Sequence, residues 1–235
     1  MIIRRLKFYA RFLKSLMGIN FRLLYGVWKI SKLPQPIITI FGGARISHES
    51  KYAQQARLLA KMLAADGYSI ITGGGPGIME AANEGALEHL KECRLNGGVC
   101  QPIVSAGISL VRLNKEKANP FVQENVKMEY FFERKWLLVR QSTGFIVFPG
   151  GFGTLDELFE ILTLVQTERM KQKAPIILMD SHYWQPIINW IETRAIKEGL
   201  LSEHDAKLIQ VLDTVETAFE VIDQQCWNQK ENNQK

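Results

Sequence analysis

Residues 144–157 read Gly-Phe-Ile-Val-Phe-Pro-Gly-Gly-Phe-Gly-Thr-Leu-Asp-Glu, an apolar run followed by a glycine-rich turn and a helix-forming segment. The apolar run predicts a buried strand over 144–148, and the last residues predict a helix that begins near Thr154. Glycines between a strand and a helix let a ligand approach the backbone N–H groups, and the positive end of the helix dipole favours an anion. The stretch therefore predicts a phosphate cradle made by Pro149, Gly150, Gly151, Phe152, Gly153 and Thr154.

Glu157 is the acidic residue next to this cradle. It lies three residues after Thr154, which places its carboxylate on the first helical turn. That position is close enough for it to act on another group of the ligand that bears the phosphate. A second reading is a capping box, in which Thr154 caps the helix and Glu157 reaches back to its N-terminus. The residues alone leave both readings open.

Two more units of strand, glycine loop and helix precede this one. The apolar run 68–72 is followed by Gly-Gly-Gly-Pro-Gly at 73–77, and the apolar run 37–41 is followed by two glycines. Open parallel sheets bind ligands at the carboxyl ends of their strands, where all three glycine clusters lie. None has the spacing of a Walker loop or of a dinucleotide fingerprint, so a mononucleotide is favoured. The predicted substrate contacts in these two loops are Gly42, Gly43, Gly74, Gly75 and Gly77.

The pattern after Pro34 alternates between strand and helix. It predicts a doubly wound, mainly parallel sheet with helices on both faces, in a single Rossmann-like α/β domain. The predicted strands cover residues 37–41, 68–72, 104–111, 126–130, 144–148 and 175–179. The predicted helices cover residues 51–66, 77–92, 131–141, 154–168, 184–198 and 214–226. We divide the chain into a basic amphipathic helical arm (1–33), a nucleotide-binding catalytic domain (34–227) and a polar, disordered tail (228–235).

Positive charge is concentrated at the N-terminus. The chain of 235 residues has 29 basic and 24 acidic residues, a formal net charge of +5. Residues 1–32 contain eight of the basic residues and no acidic residue, so the remaining chain has 21 basic against 24 acidic residues and a net charge of −3. A basic patch on the domain is therefore not indicated, and we expect no nucleic-acid partner.

Aromatic and aliphatic residues alternate with the basic residues of this arm at intervals of three to four, which predicts an amphipathic helix. No uncharged run reaches the roughly 18 residues that cross a bilayer, and no signal-peptide cleavage site is evident. Two placements stay open. The apolar stripe packs on the domain or on a second subunit, or the arm lies on an anionic membrane surface. We expect a cytoplasmic protein, with peripheral membrane contact through residues 1–32 as the alternative.

The three cysteines, Cys93, Cys100 and Cys226, are odd in number and lack the spacing of metal ligands. They predict free thiols in a reducing compartment rather than a disulfide or a zinc site. The four histidines are scattered along the chain. We expect no structural metal and no cofactor.

The stretch from residue 73 to residue 160 resembles the LOG family, phosphoribohydrolases first named for cytokinin activation and long mislabelled as lysine decarboxylases. The most specific match is residues 149–157, which fit the family's PGGxGTxxE motif. It is supported by Gly-Gly-Gly-Pro-Gly-Ile-Met-Glu at 73–80, by the pair Arg134-Lys135 and by the pair Asn119-Pro120. The resemblance extends more weakly over 37–222 and leaves the arm uncovered. A lysine decarboxylase would need a pyridoxal phosphate lysine in a much larger fold, for which this sequence supplies no setting.

The resemblance implies cleavage of the N-glycosidic bond of a nucleoside 5′-monophosphate, such as AMP or an N6-modified AMP, to free base and ribose 5-phosphate. It also implies that Arg134 and Glu157 are catalytic. The carboxylate of Glu157 would stabilise the positive charge that builds on the sugar, while Arg134 would hold phosphate or ribose oxygens and keep Glu157 ionised. A structural ion pair is the alternative reading of these two residues.

Three more residues are candidate substrate contacts, each with a structural alternative. Glu80 contacts the ribose or stabilises the first turn of its helix. Met128 contacts the base or packs in the core. On an ideal helix the side chain of Lys135 points about 100° away from that of Arg134. It contacts another part of the ligand or forms a surface ion pair.

Two other functions stay open beside hydrolysis. One is a non-catalytic member of the wider LOG-like superfamily that binds a nucleotide or a pterin cofactor, and the other is a membrane-tethered scaffold. The presence of both Arg134 and Glu157 favours hydrolysis, because a pure binding protein has no need of a carboxylate beside the anomeric carbon. The resemblance also implies a homodimer or larger homo-oligomer with the active site near a subunit interface.

Overall fold

The computed structural model of the chain describes residues 2–111, 118–170 and 174–233. Within them, strands form one sheet in the order β4-β3-β2-β1-β5-β6-β7, and each neighbouring pair is parallel. The strands are β1 (Ile37–Phe41), β2 (Ser69–Thr72), β3 (Ser105–Leu110), β4 (Glu124–Met128), β5 (Gly144–Val147), β6 (Ile176–Met179) and β7 (Ile209–Leu212). The predicted doubly wound, Rossmann-like α/β fold is confirmed.

Helices cover both faces of this sheet. They are α1 (Ile2–Ile30), α2 (Lys51–Ala65), α3 (Ile78–Leu95), α4 (Phe131–Arg140), α5 (Phe152–Gln166), α6 (Ser181–Trp190), α7 (Glu203–Ala206) and α8 (Val215–Asn233), and α6 continues as a π-helical turn over Ile191–Ala195. Helices α2, α3 and α8 pack on one face, whereas α1, α4, α5 and α6 pack on the other. Because neither face meets water, β1 reads Ile-Ile-Thr-Ile-Phe with every residue buried.

The direction of winding reverses at β1. From β1 the chain steps outward through β2, β3 and β4, and then returns so that β5 pairs with the other edge of β1. In this pairing Phe41 lies opposite Val147, so β1 and β5 end side by side. The loops that follow them diverge to opposite faces, which opens a crevice at the carboxyl edge of the sheet.

The six predicted strands are all present, but two local predictions are wrong. Strand β7 was not predicted, because a half-buried edge strand of four residues gives too short a sequence pattern. Helix α5 begins at Phe152 rather than near Thr154, with Gly151 at its N-cap and no side-chain cap. The capping box is therefore not formed, and Glu157 lies on the second turn of the helix instead of the first.

The prediction of free thiols is wrong for two of the three cysteines. Cys93 and Cys100 form a disulfide, with their Cα atoms 6.0 Å apart. The chain turns back after α3 through Gly97, whose φ is 68°, and the Gly98 N–H donates to the Cys93 carbonyl at 3.0 Å. This turn returns Cys100 to the end of α3. Cys226 is buried in α8 and takes no part in the bridge.

The C-terminal helix is longer than the sequence indicated. Helix α8 continues through Asn233, whereas a disordered tail was expected from residue 228. Its buried side chains Ala218, Ile222 and Cys226 recur every four residues and dock the helix on the sheet. Once a helix is nucleated, each further residue adds one backbone hydrogen bond, so polar residues extend it. Residues 234 and 235 lie outside the described part of the chain.

The basic arm is helical, and its second half packs on the domain. Helix α1 runs antiparallel to β4: Lys29 pairs with Glu124 at the start of that strand at 2.7 Å, and a side chain on Gly26 would lie 2.7 Å from the Met128 methyl carbon at its end. Packing on the domain, the first of the two open placements, is therefore realised for this half. In the described residues, none of the helices is long and apolar enough to cross a lipid bilayer.

Candidate active site

A cleft of about 700 Å³ opens at the carboxyl edge of the sheet, beyond the ends of β1 and β5. It is lined by Gly42, Gly43, Ala44, Arg45, Met79, Leu110, Phe131, Arg134, Gly150, Gly151, Phe152, Gly153, Thr154, Leu155, Glu157 and Tyr183. Among the described residues, no group of three His, Cys, Asp or Glu side chains is arranged to hold a metal ion. The donors at the cleft include backbone N–H groups at the start of α5 and the guanidinium groups of Arg45 and Arg134, which suit an anion.

The glycine turn before α5 is anchored to the loop that follows β1. The Gly43 N–H donates to the Pro149 carbonyl at 2.9 Å. A side chain on Gly150 would collide with the hydroxyl of Thr154 and would lie 2.9 Å from the Gly43 nitrogen. Glycine is therefore required at position 150 by the packing of the two loops against each other.

The next two glycines of this turn have a different environment. A Cβ added to Gly151 or Gly153 would meet no protein atom within 4 Å. Gly151 is also the N-cap of α5, so the first N–H groups of that helix have no intrahelical acceptor. The open space beside these two glycines is where an anionic ligand would approach the helix N-terminus.

A buried polar network holds the loop after β2. Gly74 and Gly77 have φ of 73° and 70°, in the region that favours glycine. The Asn119 backbone N–H donates to the Gly74 carbonyl at 2.9 Å, and its side-chain amide donates to the Gly75 carbonyl at 3.0 Å. The same amide donates to the fully buried Asn83 at 3.0 Å. Asn119, the first residue of the Asn-Pro pair, thus braces the second glycine loop.

Arg134 and Glu157 form an ion pair inside the cleft, with Nη1 and Oε1 2.5 Å apart. The backbone of β3 orients the Arg134 side chain, because its Nε donates to the Ile108 carbonyl at 2.9 Å. Its guanidinium also covers Gly73, where any side chain would collide with Nη2. The two side chains are only 13% and 11% exposed. The pair therefore connects the loop after β2 with the helix that follows the other glycine turn.

Burial raises the pKa of the Glu157 carboxyl, and the positive charge of Arg134 offsets only part of that rise. Arg134 was expected from the sequence to keep Glu157 ionised. The net direction is the opposite, because the carboxyl is almost completely removed from water. A buried acid whose pKa is shifted, next to a fixed cation and in a cleft, is typical of a functional group.

Most of the predicted site residues meet at this cleft. Those that line it are Gly42, Gly43, Arg134, Gly150, Gly151, Phe152, Gly153, Thr154 and Glu157. Four others lie behind the lining and hold the loops through their backbones, namely Gly74, Gly75, Gly77 and Pro149.

Three predicted contacts lie outside the cleft. Met128 is fully buried in the core beneath α1 and α4, which favours its packing role. Lys135 pairs with Asp156 and Glu160 at 3.3 and 2.8 Å, as the surface ion-pair alternative predicts. Glu80 lies on the first turn of α3 and does not line the cleft.

Two residues that line the cleft, Tyr183 and Arg45, were not predicted as site residues from the sequence. Tyr183 lies in α6, and its hydroxyl donates to the Gly150 carbonyl at 2.5 Å. A signal existed, since β6 ends at the same edge of the sheet and the residues after it must emerge beside the glycine turn. Arg45 lies two residues after Gly43, so its place at the cleft follows from that of the glycines after β1.

Comparison with known proteins adds to this geometry. Residues 79–222 match the family model described as "Possible lysine decarboxylase". The chain is 26% identical over 186 residues to a cytokinin riboside 5′-monophosphate phosphoribohydrolase from Rhodococcoides fascians, across 79% of this chain and 88% of that protein. It is 32% identical over 149 residues to a pyrimidine/purine nucleotide 5′-monophosphate nucleosidase from Escherichia coli, across 61% of this chain and 31% of that protein.

Among solved structures, the chain is similar to the molybdenum cofactor carrier protein from Chlamydomonas reinhardtii. The TM-score is 0.57 at 21% sequence identity, and the match covers 81% of this chain and 97% of that one. A likeness at this identity concerns the fold alone. The same fold thus serves proteins with different functions, so the function must be argued from the site.

Proposed function

The chain belongs to the LOG family, whose family model carries the description "Possible lysine decarboxylase", and we propose that it is a nucleoside 5′-monophosphate phosphoribohydrolase. The proposed reaction uses one water to break the bond between C1′ and the base nitrogen. The base leaves with a proton, and ribose 5-phosphate is released. AMP and N6-modified AMP are the proposed substrates.

One observation carries this proposal: the pairing of Arg134 with Glu157 at 2.5 Å inside a cleft bounded by glycine turns. A phosphate site alone would fit any nucleotide-binding protein. A buried carboxyl next to it is costly, since burial raises its pKa and disfavours its charge. A fold that keeps such a group in contact with its ligand site is best explained by chemistry on the ligand.

The phosphate would lie at the N-terminus of α5, beside Gly151 and Gly153, where the protein leaves open space. Backbone N–H groups and the helix dipole then bind the dianion. A nucleotide held there by its phosphate extends its ribose along the helix, toward the side chain of Glu157 on the second turn. This arrangement would bring the carboxylate to the anomeric carbon.

Cleavage of an N-glycosidic bond builds positive charge on the ribose ring. An ionised Glu157 stabilises that charge, either as a nucleophile at C1′ or as the base that takes a proton from water. Both routes need the carboxylate form. Arg134 keeps its position and donates to ligand oxygens as well as to Glu157, so its charge is shared between substrate and acid.

The relatives support the reaction class. The Rhodococcoides fascians relative is named as a phosphoribohydrolase of a riboside 5′-monophosphate, and the Escherichia coli relative as a nucleotide 5′-monophosphate nucleosidase. Both names describe loss of the base from a 5′-monophosphate. The alternative, a protein that binds a nucleotide or a cofactor without cleaving it, is an outcome of the experiment below.

We also propose that the chain forms a homo-oligomer. Phe131 and Phe152 line the cleft and are 56% and 91% exposed, so one wall of the cleft presents uncovered aromatic rings. A second subunit over this wall would exclude water from the reaction. Light scattering that gives a mass near the 26.8 kDa of one chain would contradict this part of the proposal.

The experiment is to incubate the protein with AMP, GMP, CMP and N6-isopentenyl AMP, and with adenosine as a control that lacks the phosphate. Free base and ribose 5-phosphate are then quantified by chromatography. We expect both products in equal amounts from at least one monophosphate and none from adenosine. Binding of the nucleotides without release of base above a Glu157→Gln control would favour the binding-protein alternative.

A further inference from the structure

The two halves of helix α1 differ in how their charges are neutralised. In the second half, Arg22 pairs with Glu129 and Glu133 at 2.9 and 2.8 Å, and Lys29 pairs with Glu124 at 2.7 Å. In the first half, no ion pair with any described residue involves the basic side chains Arg4, Arg5, Lys7, Arg11 and Lys14. Five positive charges therefore face solvent on one short helical segment.

The same segment exposes large apolar side chains. Between 38% and 66% of the surface of each is accessible to water: Leu6, Phe8, Tyr9, Phe12, Leu13, Leu16 and Met17. Isolated exposed apolar residues are normal on protein surfaces, but a contiguous set of seven on one helical segment marks an interaction surface.

Four of the five cations are separated from the apolar surface around the helix axis, whereas Arg5 lies on the apolar side. Lys7, Arg11 and Lys14 recur at intervals of four and three residues, so they form one stripe. Phe12 and Leu16 recur at an interval of four on another side of the helix and share a stripe with Leu23, which packs against the core of the domain. The stripe that the second half buries against protein thus continues into the first half, where Phe12 and Leu16 are exposed.

We propose that residues 4–17 of α1 are a docking segment for an anionic lipid surface. A basic stripe beside a wide aromatic and aliphatic face is the pattern of a helix that lies in the plane of a membrane interface. Acidic headgroups would neutralise the five free cations, while the boundary of the acyl chains would take up the phenylalanines and leucines. This inference is independent of the proposed hydrolysis.

A second copy of the chain fits this segment less well. Two arms packed together would bring their free cations close to each other, and residues 1–32 contain no acidic residue to compensate them. Among the described residues, the domain carboxylates that pair with the arm, those of Glu124, Glu129 and Glu133, are already taken by Arg22 and Lys29. A lipid surface supplies negative charge and an apolar layer together.

The segment projects from the edge of the sheet that carries the cleft. Along α1 the contacts with the domain run from Lys29 at the start of β4 to Ser15, whose hydroxyl lies 3.2 Å from that of Tyr130 just before α4. Residues before Ser15 continue past the carboxyl edge for about 20 Å, at 1.5 Å per residue. Docking would therefore turn the cleft edge toward the lipid.

The test is co-sedimentation of the full chain with vesicles of phosphatidylcholine alone or with 30% phosphatidylglycerol added, about a third of the headgroups, in the range where surface charge attracts basic segments. We expect binding to the anionic vesicles and much weaker binding to the neutral ones. The variant Lys7→Gln/Arg11→Gln/Lys14→Gln should bind about a hundredfold more weakly. A second variant, Phe8→Ser/Phe12→Ser, keeps every charge and should bind at least about tenfold more weakly.

The matched control removes the same number of charges elsewhere. Lys91, Lys197 and Lys207 are exposed and lie far from the arm in sequence, and their change to glutamine should leave vesicle binding within about twofold of the wild type. Equal loss in this control, equal binding to neutral vesicles, or no binding of the wild type would overturn the proposal. So would a wild-type oligomer that dissociates in the Phe8→Ser/Phe12→Ser variant without any vesicle binding.

Discussion

Arg134 donates to Glu157 over 2.5 Å while its own Nε is fixed by the Ile108 carbonyl at 2.9 Å. The guanidinium is thus oriented by the backbone of β3 rather than by another side chain. The ion pair has one position, set by the edge of the sheet, and that position faces the glycine turns. A pair fixed in this way aligns a charge with a ligand site before the ligand arrives.

The planar guanidinium of Arg134 should contribute to catalysis through its geometry as well as through its charge. Arg134→Lys keeps a cation but loses the planar donors that reach Ile108 and Glu157 together, so we expect kcat/KM on AMP to fall about a hundredfold. The matched control is Lys135→Gln on the same helix, whose side chain pairs outside the cleft with Glu160. It should retain kcat/KM within about threefold, and an equal loss in both variants would argue against a special role for Arg134.

The pH dependence should report the buried acid. Burial raises the pKa of Glu157, and the reaction needs its ionised form, so kcat/KM should fall as pH drops through that raised value. The acid limb, which is the part of the pH profile where kcat/KM falls toward low pH, is therefore expected at higher pH than for an exposed glutamate. Removing the opposing cation in Arg134→Gln should move the limb still higher, because Arg134 lowers the pKa of its partner. A limb that stays in place or moves down would contradict the assignment, as measured in rate profiles from pH 4 to about 9.

Substitutions at the adjacent glycines Gly150 and Gly151 should have different effects, one on stability and the other on ligand binding. Gly150→Ala places a methyl against Thr154 and Gly43, and we expect the free energy of unfolding to fall by about 2 kcal/mol in urea denaturation. Gly151→Ala meets no protein atom within 4 Å, so stability should be nearly unchanged. The methyl would occupy the space proposed for phosphate, and the Kd for AMP by calorimetry should rise at least about tenfold. Unchanged AMP affinity in the second variant would contradict the proposed position of the phosphate at this turn.

Tyr183 should position the glycine turn. Tyr183→Phe keeps the ring in the cleft but loses the hydrogen bond to the Gly150 carbonyl, which is worth about 1 kcal/mol. We expect KM for AMP to rise roughly fivefold, with kcat changed less than twofold. Tyr25→Phe, on the exposed side of α1, serves as control and should leave both constants unchanged. A fall in kcat at constant KM would mean that Tyr183 acts on the chemical step instead.

Residues with a strong local pattern were placed correctly from the sequence. The buried strands β1, β2 and β5 are apolar runs that are each followed by a glycine-rich loop, and parallel pairing then brings their carboxyl ends to one edge. The meeting of the glycine turns with Arg134 and Glu157 follows from that topology. Met128 and Lys135 were harder to place. A shift of one residue along a strand or a helix turns the side chain toward a different environment, which is the cleft, the core or the surface.

What the sequence could not supply depends on tertiary contacts and on the local path of the backbone. The rise in the pKa of Glu157 comes from burial by several elements, which no local pattern encodes. Tyr183 reaches the site from the helix after β6, 33 residues away in sequence from the carbonyl it binds. The disulfide between Cys93 and Cys100 depends on a turn with a positive φ, which spacing alone does not reveal.

The central claim is that Glu157 does chemistry on a bound nucleotide, and Glu157→Gln tests it most directly. Glutamine keeps the size of the side chain and a hydrogen-bond acceptor for Arg134, but it carries no negative charge. We predict that AMP binds with a Kd within about threefold of the wild type by calorimetry, while release of adenine falls at least about a thousandfold. Equal release of adenine by the two proteins, or none by the wild type under conditions where AMP binds, would contradict the account.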